Sequence, residues 1–161
     1  MVSSLQRKAV VIRASKIVHK SSALHQLTRF VTEEAICLMF NISFEDIYVV
    51  ECWRYVVYVH GTGVSKFVSY ADFPPILGVA PPRVRDFIRW RKRWRKQNEL
   101  YRKQAPNWWA EFFAQEFSRA TSEDVLHSWG KLVELITFAF NEDTLQELRR
   151  SSHQEKSLIC F

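Results

Sequence analysis

Residues Arg83 to Lys103, RVRDFIRWRKRWRKQNELYRK, hold ten Lys/Arg, two acids and four aromatics, and no other segment of the chain is as well equipped for chemistry. Ten cations against two acids give it a formal +8, while the whole chain of 161 residues carries +6, so everything outside the segment sums to −2. Charge focused on one segment implies an anionic partner more strongly than a uniformly basic surface does. The chemistry on offer is ionic binding. Guanidinium forks match phosphate oxygens two at a time, and each phosphate neutralised releases condensed counterions.

Read as a helix and counted from Phe87, the segment places Trp90, Trp94 and Tyr101 at about 300°, 340° and 320°. Arg89, Arg91, Lys92, Arg93, Arg95, Lys96 and Lys103 spread over about 40° to 240°. Rings that stack on bases would share a face with the cations, whereas these are segregated from them, so the aromatic stripe reads as core and the cationic face as the contact surface. No acid lies between Lys92 and Lys96. Like charges four residues apart on a helix repel by a few tenths of a kcal/mol, which an external partner would offset.

Nucleic-acid phosphate is the first expectation for that partner. An acidic face comes second, on another protein or in this chain's own segments 32–82 and 104–161, each −4. An anionic membrane surface comes third. The expected binding set is Arg89, Arg91, Lys92, Arg93, Arg95, Lys96 and Lys103, with Lys8, Arg13 and Lys16 of the basic start extending the surface. About six phosphates neutralised on a duplex predict a log–log salt slope near −5. Zinc-finger, RNP1 and GXXG signatures are missing, so neither DNA, RNA nor a base sequence is specified.

Catalytic and metal signals are weaker. Glu123, Asp124 and His127 fall within one helical turn, but acids in a first turn are expected for the helix dipole. Glu33 and Glu34 read as a solvated pair, and His19, His25, His60 and His153 lack a ligand-like neighbour at helical spacing. Cys37, Cys52 and Cys160 are odd in number with no C-x-x-C pair, which argues against a disulfide framework or zinc knuckle and for a reducing, cytoplasmic setting. The expectation is a non-enzymatic protein with neither cofactor nor metal. A cleft gathering two or more of Glu33, Glu51, Cys52, His60 and His127 would revive catalysis. No apolar run reaches the 18 or so residues of a membrane span, so a soluble or peripheral protein is expected.

The elements that must position these residues divide at a Pro-rich connector, 74–82, where prolines at 74, 75, 81 and 82 deny backbone donors. Before it, 1–73 reads as mixed α/β. The acid-free start also matches an organellar import peptide, but Ala9–Ile12 and Ile17-Val18 read better as a first strand. A helix is predicted from Ser22 to Phe40, capped by Ser21 or Ser22. The β-branched run from Ile47 to His60 is too long for one strand and is predicted to bend between Glu51 and Arg54. Gly61-Thr62-Gly63 then joins it to Val64–Tyr70 as a hairpin.

After the connector, helices are predicted near 84–104, 107–119, 122–140 and 142–150, with a polar, frayed tail over 151–161. Thr121 and Ser122 offer the capping hydroxyls of the third helix and Asn141 the cap of the last, with Val125, Trp129, Leu132, Val133, Ile136 and Phe140 the buried stripe of the third. Among the aromatics Trp108 to Phe117, Trp108 is expected to be partly exposed. The fold class is therefore α+β, a single domain: a small antiparallel sheet with an N-terminal helix, and a helical C-terminal half (83–150) covering one sheet face. The alternative to nucleic-acid binding is a protein-interaction or assembly factor, a homo-oligomer included, that docks through its aromatic-rich helices.

Overall fold

The computed structural model describes residues 14–97 and 104–159, with the side chains of 95–97 outside the description. Its α+β architecture is a four-stranded sheet backed by helices. The strands are β1 (Ile17–His19), β2 (Ile47–Cys52), β3 (Val57–Gly61) and β4 (Val64–Val68), in spatial order β1-β2-β3-β4. β2 to β4 form the expected antiparallel meander, but β1 pairs with β2 in parallel, Ile17 opposite Val50, so the sheet is mixed. The connection explains it: parallel neighbours need a crossover, and residues 20–46 supply one, including helix α1 (Glu33–Phe40).

α1 is shorter than its apolar spacing predicts. The backbone N–H of Ala23 donates to Ser21 Oγ and that of Leu27 to His25 Nδ1, local bonds that compete with a helix ladder. Leu27 and Phe30 enter the core through a short 3-10 turn instead. Thr32, not Ser21 or Ser22, is the cap, its Oγ1 accepting from Ala35 N at 3.2 Å, with Glu33 and Glu34 in the first turn suiting the dipole.

The hairpin falls where the glycines predict it. Gly63 takes φ +73°, and a Cβ at Gly61 would sit 2.3 Å from the Asp46 carbonyl oxygen, which accepts from Thr62 N at 2.8 Å. Only glycine permits that approach. Val50, Cys52, Val57 and Val59 face the core, while Tyr58, His60 and Phe67 alternate onto the open face.

Four helices follow: α2 (Val84–Gln97), α3 (Trp108–Arg119), α4 (Glu123–Leu135) and α5 (Glu142–Ile159). Of the two hydroxyls offered, Ser122 Oγ caps by accepting from Val125 N, and Asn141 Oδ1 accepts from Thr144 N as expected. In α4 it is Leu126, not Val125, that joins Trp129, Leu132, Val133 and Ile136 in the core, and Phe140 is half-buried. The expected polar tail is helical through Ile159, because Leu145 and Leu148 bury against the bundle and Arg149 bonds Glu134 of α4 at 3.0 and 2.9 Å. Arg29 closes the far end of the Pro-rich connector. It donates to the carbonyls of Gln26, Ala80 and Pro81 and to Asp86 at 2.6 Å.

Candidate nucleic-acid interface

The described part of α2 has the two faces its sequence predicts, while Tyr101 of the aromatic stripe lies outside the described residues. Trp90 and Trp94 are fully buried and lie nearly parallel to each other, centroids 6.4 Å apart, with the Trp109 ring edge-on to both at 5.6 and 5.2 Å. Phe87 packs edge-on against Phe138 at 5.2 Å. The Trp109 indole N–H donates to the Asp72 carbonyl at 2.9 Å, tying the cluster to the segment that follows β4. Each such aromatic stabilises the fold by roughly 1.5–3 kcal/mol through burial. These rings are glue and cannot receive a base.

The cations of the other face do not form one equivalent set. Arg89, Arg91 and Lys92 are exposed, and among the described residues no carboxylate lies within ion-pair distance of them. Arg91 rests its guanidinium over the Phe138 ring at 4.1 Å, and Arg89 Nε donates to Gln26 Oε1 at 3.0 Å. Arg93 is half-buried and engaged: Nε and Nη2 donate to the two Asp72 carboxylate oxygens at 3.1 and 3.5 Å. It is therefore a structural cation as well as a candidate contact. The side chains of Arg95 and Lys96, and Lys103 altogether, lie outside the described residues, as do Lys8 and Arg13. Lys16 is committed elsewhere, its Nζ donating to the Phe44 carbonyl at 2.6 Å and lying 4.0 Å over the Phe44 ring.

Among the described residues, the segment's cations meet one carboxylate, that of Asp72 at Arg93, while Asp86 of the segment itself pairs with Arg29. Glu116 and Glu134 pair instead with Arg119 and Arg149. Asp86 is buried, which alone would raise its pKa. Bonds from Arg29, Gln26 and the Arg83 backbone N–H outweigh that and hold it below the ordinary carboxylate value.

A feature that the sequence did not suggest lies at the edge of this face. Arg89, Lys92 and Arg93 line a cleft of about 260 Å³ together with His25, Ser69 and Tyr55. Tyr55 belongs to the turn between β2 and β3 and is 75% exposed, with the Arg54 guanidinium 5.2 Å over its ring. The turn is anchored from within, because Tyr70 Oη donates to the Trp53 carbonyl at 2.5 Å. His25 stacks on Tyr70 at 4.2 Å. Burial first, and then the charge of Arg89, lower its pKa to about 4 against a weaker opposing pull from Asp86, so it is a neutral wall at physiological pH. One signal for the cleft was present in the chain: the Trp53-Arg54-Tyr55 run at the predicted strand bend joins aromatics to a cation outside any buried periodicity.

Of the catalytic candidates, Glu123, Asp124 and His127 line one groove with His153, as their shared helical turn dictates, and the rest lie elsewhere. Glu33 lines a groove by α1, His127 lines another between α4 and α5, and Cys52 and Glu51 are adjacent strand residues on opposite faces of β2. Burial raises the Cys52 thiol pKa, the reverse of what a nucleophile needs. Among the described residues no group of His, Cys, Asp and Glu is arranged to hold a metal, and no helix is long and apolar enough to cross a membrane. No protein-family model, curated protein or solved structure matches the chain.

Proposed function

We propose that this protein binds nucleic acid without catalysis, through phosphate contacts from α2. The observation that carries the reading is the pairing state of its cations: Arg89, Arg91 and Lys92 are exposed with no carboxylate of the described residues within ion-pair distance, on a helix whose opposite face is locked into the core. A helix immobilised by buried indoles holds those charges in a fixed array, which favours a polyanion over scattered counterions. In sequence, Arg95, Lys96 and Lys103 add three cations to the same segment, and Arg93 contributes whatever charge Asp72 leaves uncompensated.

Fluorescence anisotropy with labelled oligonucleotides tests this. Binding at about 50 mM salt should weaken steeply as salt rises, and replacing Arg89 and Lys92 together with alanine should reduce the log–log slope by about 2. No association with single or double strands at that low salt overturns the reading.

A protein-assembly role is the second reading, favoured by the open face of the sheet, where Phe67 and the bulge residue Tyr48 present exposed rings beside Tyr58 and His60. Exposed aromatics of this kind are common interface anchors. Light scattering on the purified chain separates the two. A stable oligomer that ignores oligonucleotides favours assembly.

A further inference from the structure

Resting on the phosphate-binding reading of α2, we infer that the cleft between α2 and the β2–β3 turn takes one unpaired nucleotide, its base against the Tyr55 ring and its phosphate between Arg89 and Lys92. The ligand class is therefore single-stranded nucleic acid.

The cleft's composition is what such a ligand requires. Three cations and no carboxylate line it; of the nearby acids outside the lining, Asp72 accepts from Arg93 and Asp86 from Arg29. Two positive side chains are left for a phosphate. Tyr55 is the aromatic that lines the same cleft without being part of the core, and at 75% it is the most exposed large hydrophobic side chain among the described residues. Aromatic rings displayed next to cations are the recurring device for holding unpaired bases, since every base has a π-face and the phosphates follow the charge. Geometry then selects the strand state. In a duplex both faces of each internal base are covered by its neighbours, so a ring on a turn can reach only a base that has left the stack.

The volume agrees. About 260 Å³ sits close to the lower end of small-ligand sites, roughly 300 Å³, and suits one nucleotide rather than an extended groove. Neutral His25, whose Nδ1 accepts from Leu27 N, has Nε2–H left as a non-ionic donor, and Ser69 is part of the same lining. The indole stack of α2 contributes nothing to recognition beyond holding Arg89 and Lys92 in place.

The test compares the intact chain with Tyr55→Ala and Tyr55→Phe, using a short labelled oligo-dT, an abasic oligonucleotide of the same length, a mixed-sequence duplex and poly-glutamate. Tyr55 is too exposed for its truncation to threaten folding. The expected result is that the intact chain prefers oligo-dT over both the abasic strand and poly-glutamate, that Tyr55→Ala weakens oligo-dT about tenfold, and that Tyr55→Phe retains affinity. Duplex and abasic affinities should be unchanged by either substitution, because they depend on charge alone. Equal binding of oligo-dT and abasic strand, or indifference of oligo-dT to Tyr55→Ala, overturns this inference while leaving the phosphate reading intact. Poly-glutamate competing as well as oligo-dT overturns it in favour of an acidic protein partner. Failure of every nucleic acid to bind overturns both.

Discussion

The helical half and the sheet are both rich in aromatic rings, yet they use them in opposite ways. Trp90, Trp94 and Trp109 close on one another with no solvent contact, whereas Phe67 of β4 and Tyr55 of the neighbouring turn stand open. The difference comes from the backbone period. A helix that buries one face can collect its rings on that face alone, while a strand must send every second residue to the other side, and here nothing among the described residues covers that side of β3 and β4. Aromatic content by itself therefore says little about function. What matters is which rings remain after the core has taken its share, and whether cations stand beside them. Tyr55 meets both conditions, and the tryptophans of α2 meet neither.

Truncating rings in order of burial probes that division. Trp94→Ala should cost about 3–5 kcal/mol, read as a large drop in urea midpoint, because it leaves an indole-sized void among rings that cannot collapse into it. A loss below about 1 kcal/mol would mean that the stack is not the anchor of α2. His25, a half-buried ring, should reveal itself through pH. Its pKa is lower folded than unfolded, so the neutral form contributes stability that is fully present above about 6.5 and is lost as pH falls toward about 4. Urea melts across that window should show the decline, and His25→Asn, which keeps an acceptor for Leu27 N, should flatten it. Phe67→Ala should have the smallest effect, under about 1 kcal/mol, because the ring is 65% exposed and loses mainly its cross-strand contact with Tyr58. A larger cost would show that the open face of the sheet is covered after all.

Much of the framework was legible because it depends on local spacing. The Trp90/Trp94 stripe followed from helical periodicity, the hairpin from Gly61 and Gly63, and two helix starts from Ser122 and Asn141. Non-local pairings were not legible. Nothing in a linear reading says that Arg93 will spend itself on Asp72, 21 residues earlier, or that Asp86 will be claimed by Arg29, 57 residues away. Those two bonds decide which cations are left for a partner. The parallel placement of β1 was missed for the same reason, since strand direction depends on how the intervening crossover packs. The start of α1 was missed on a finer scale: Ser21 and His25 bond nearby amides and keep the chain out of the helix that its apolar spacing invites.

Arg29 has a consequence for recognition that reaches beyond its own neighbourhood. By bonding Gln26, Ala80, Pro81 and Asp86 at once, it pins the N-terminal segment that carries His25 to the start of the helix that carries Arg89 and Lys92. Opposing walls contributed by distant parts of the chain are thus held at a set separation before any ligand arrives. On the proposed phosphate-binding reading, the ordering entropy is lost during folding and not at the encounter, so association would be governed by diffusion and charge instead of by closure.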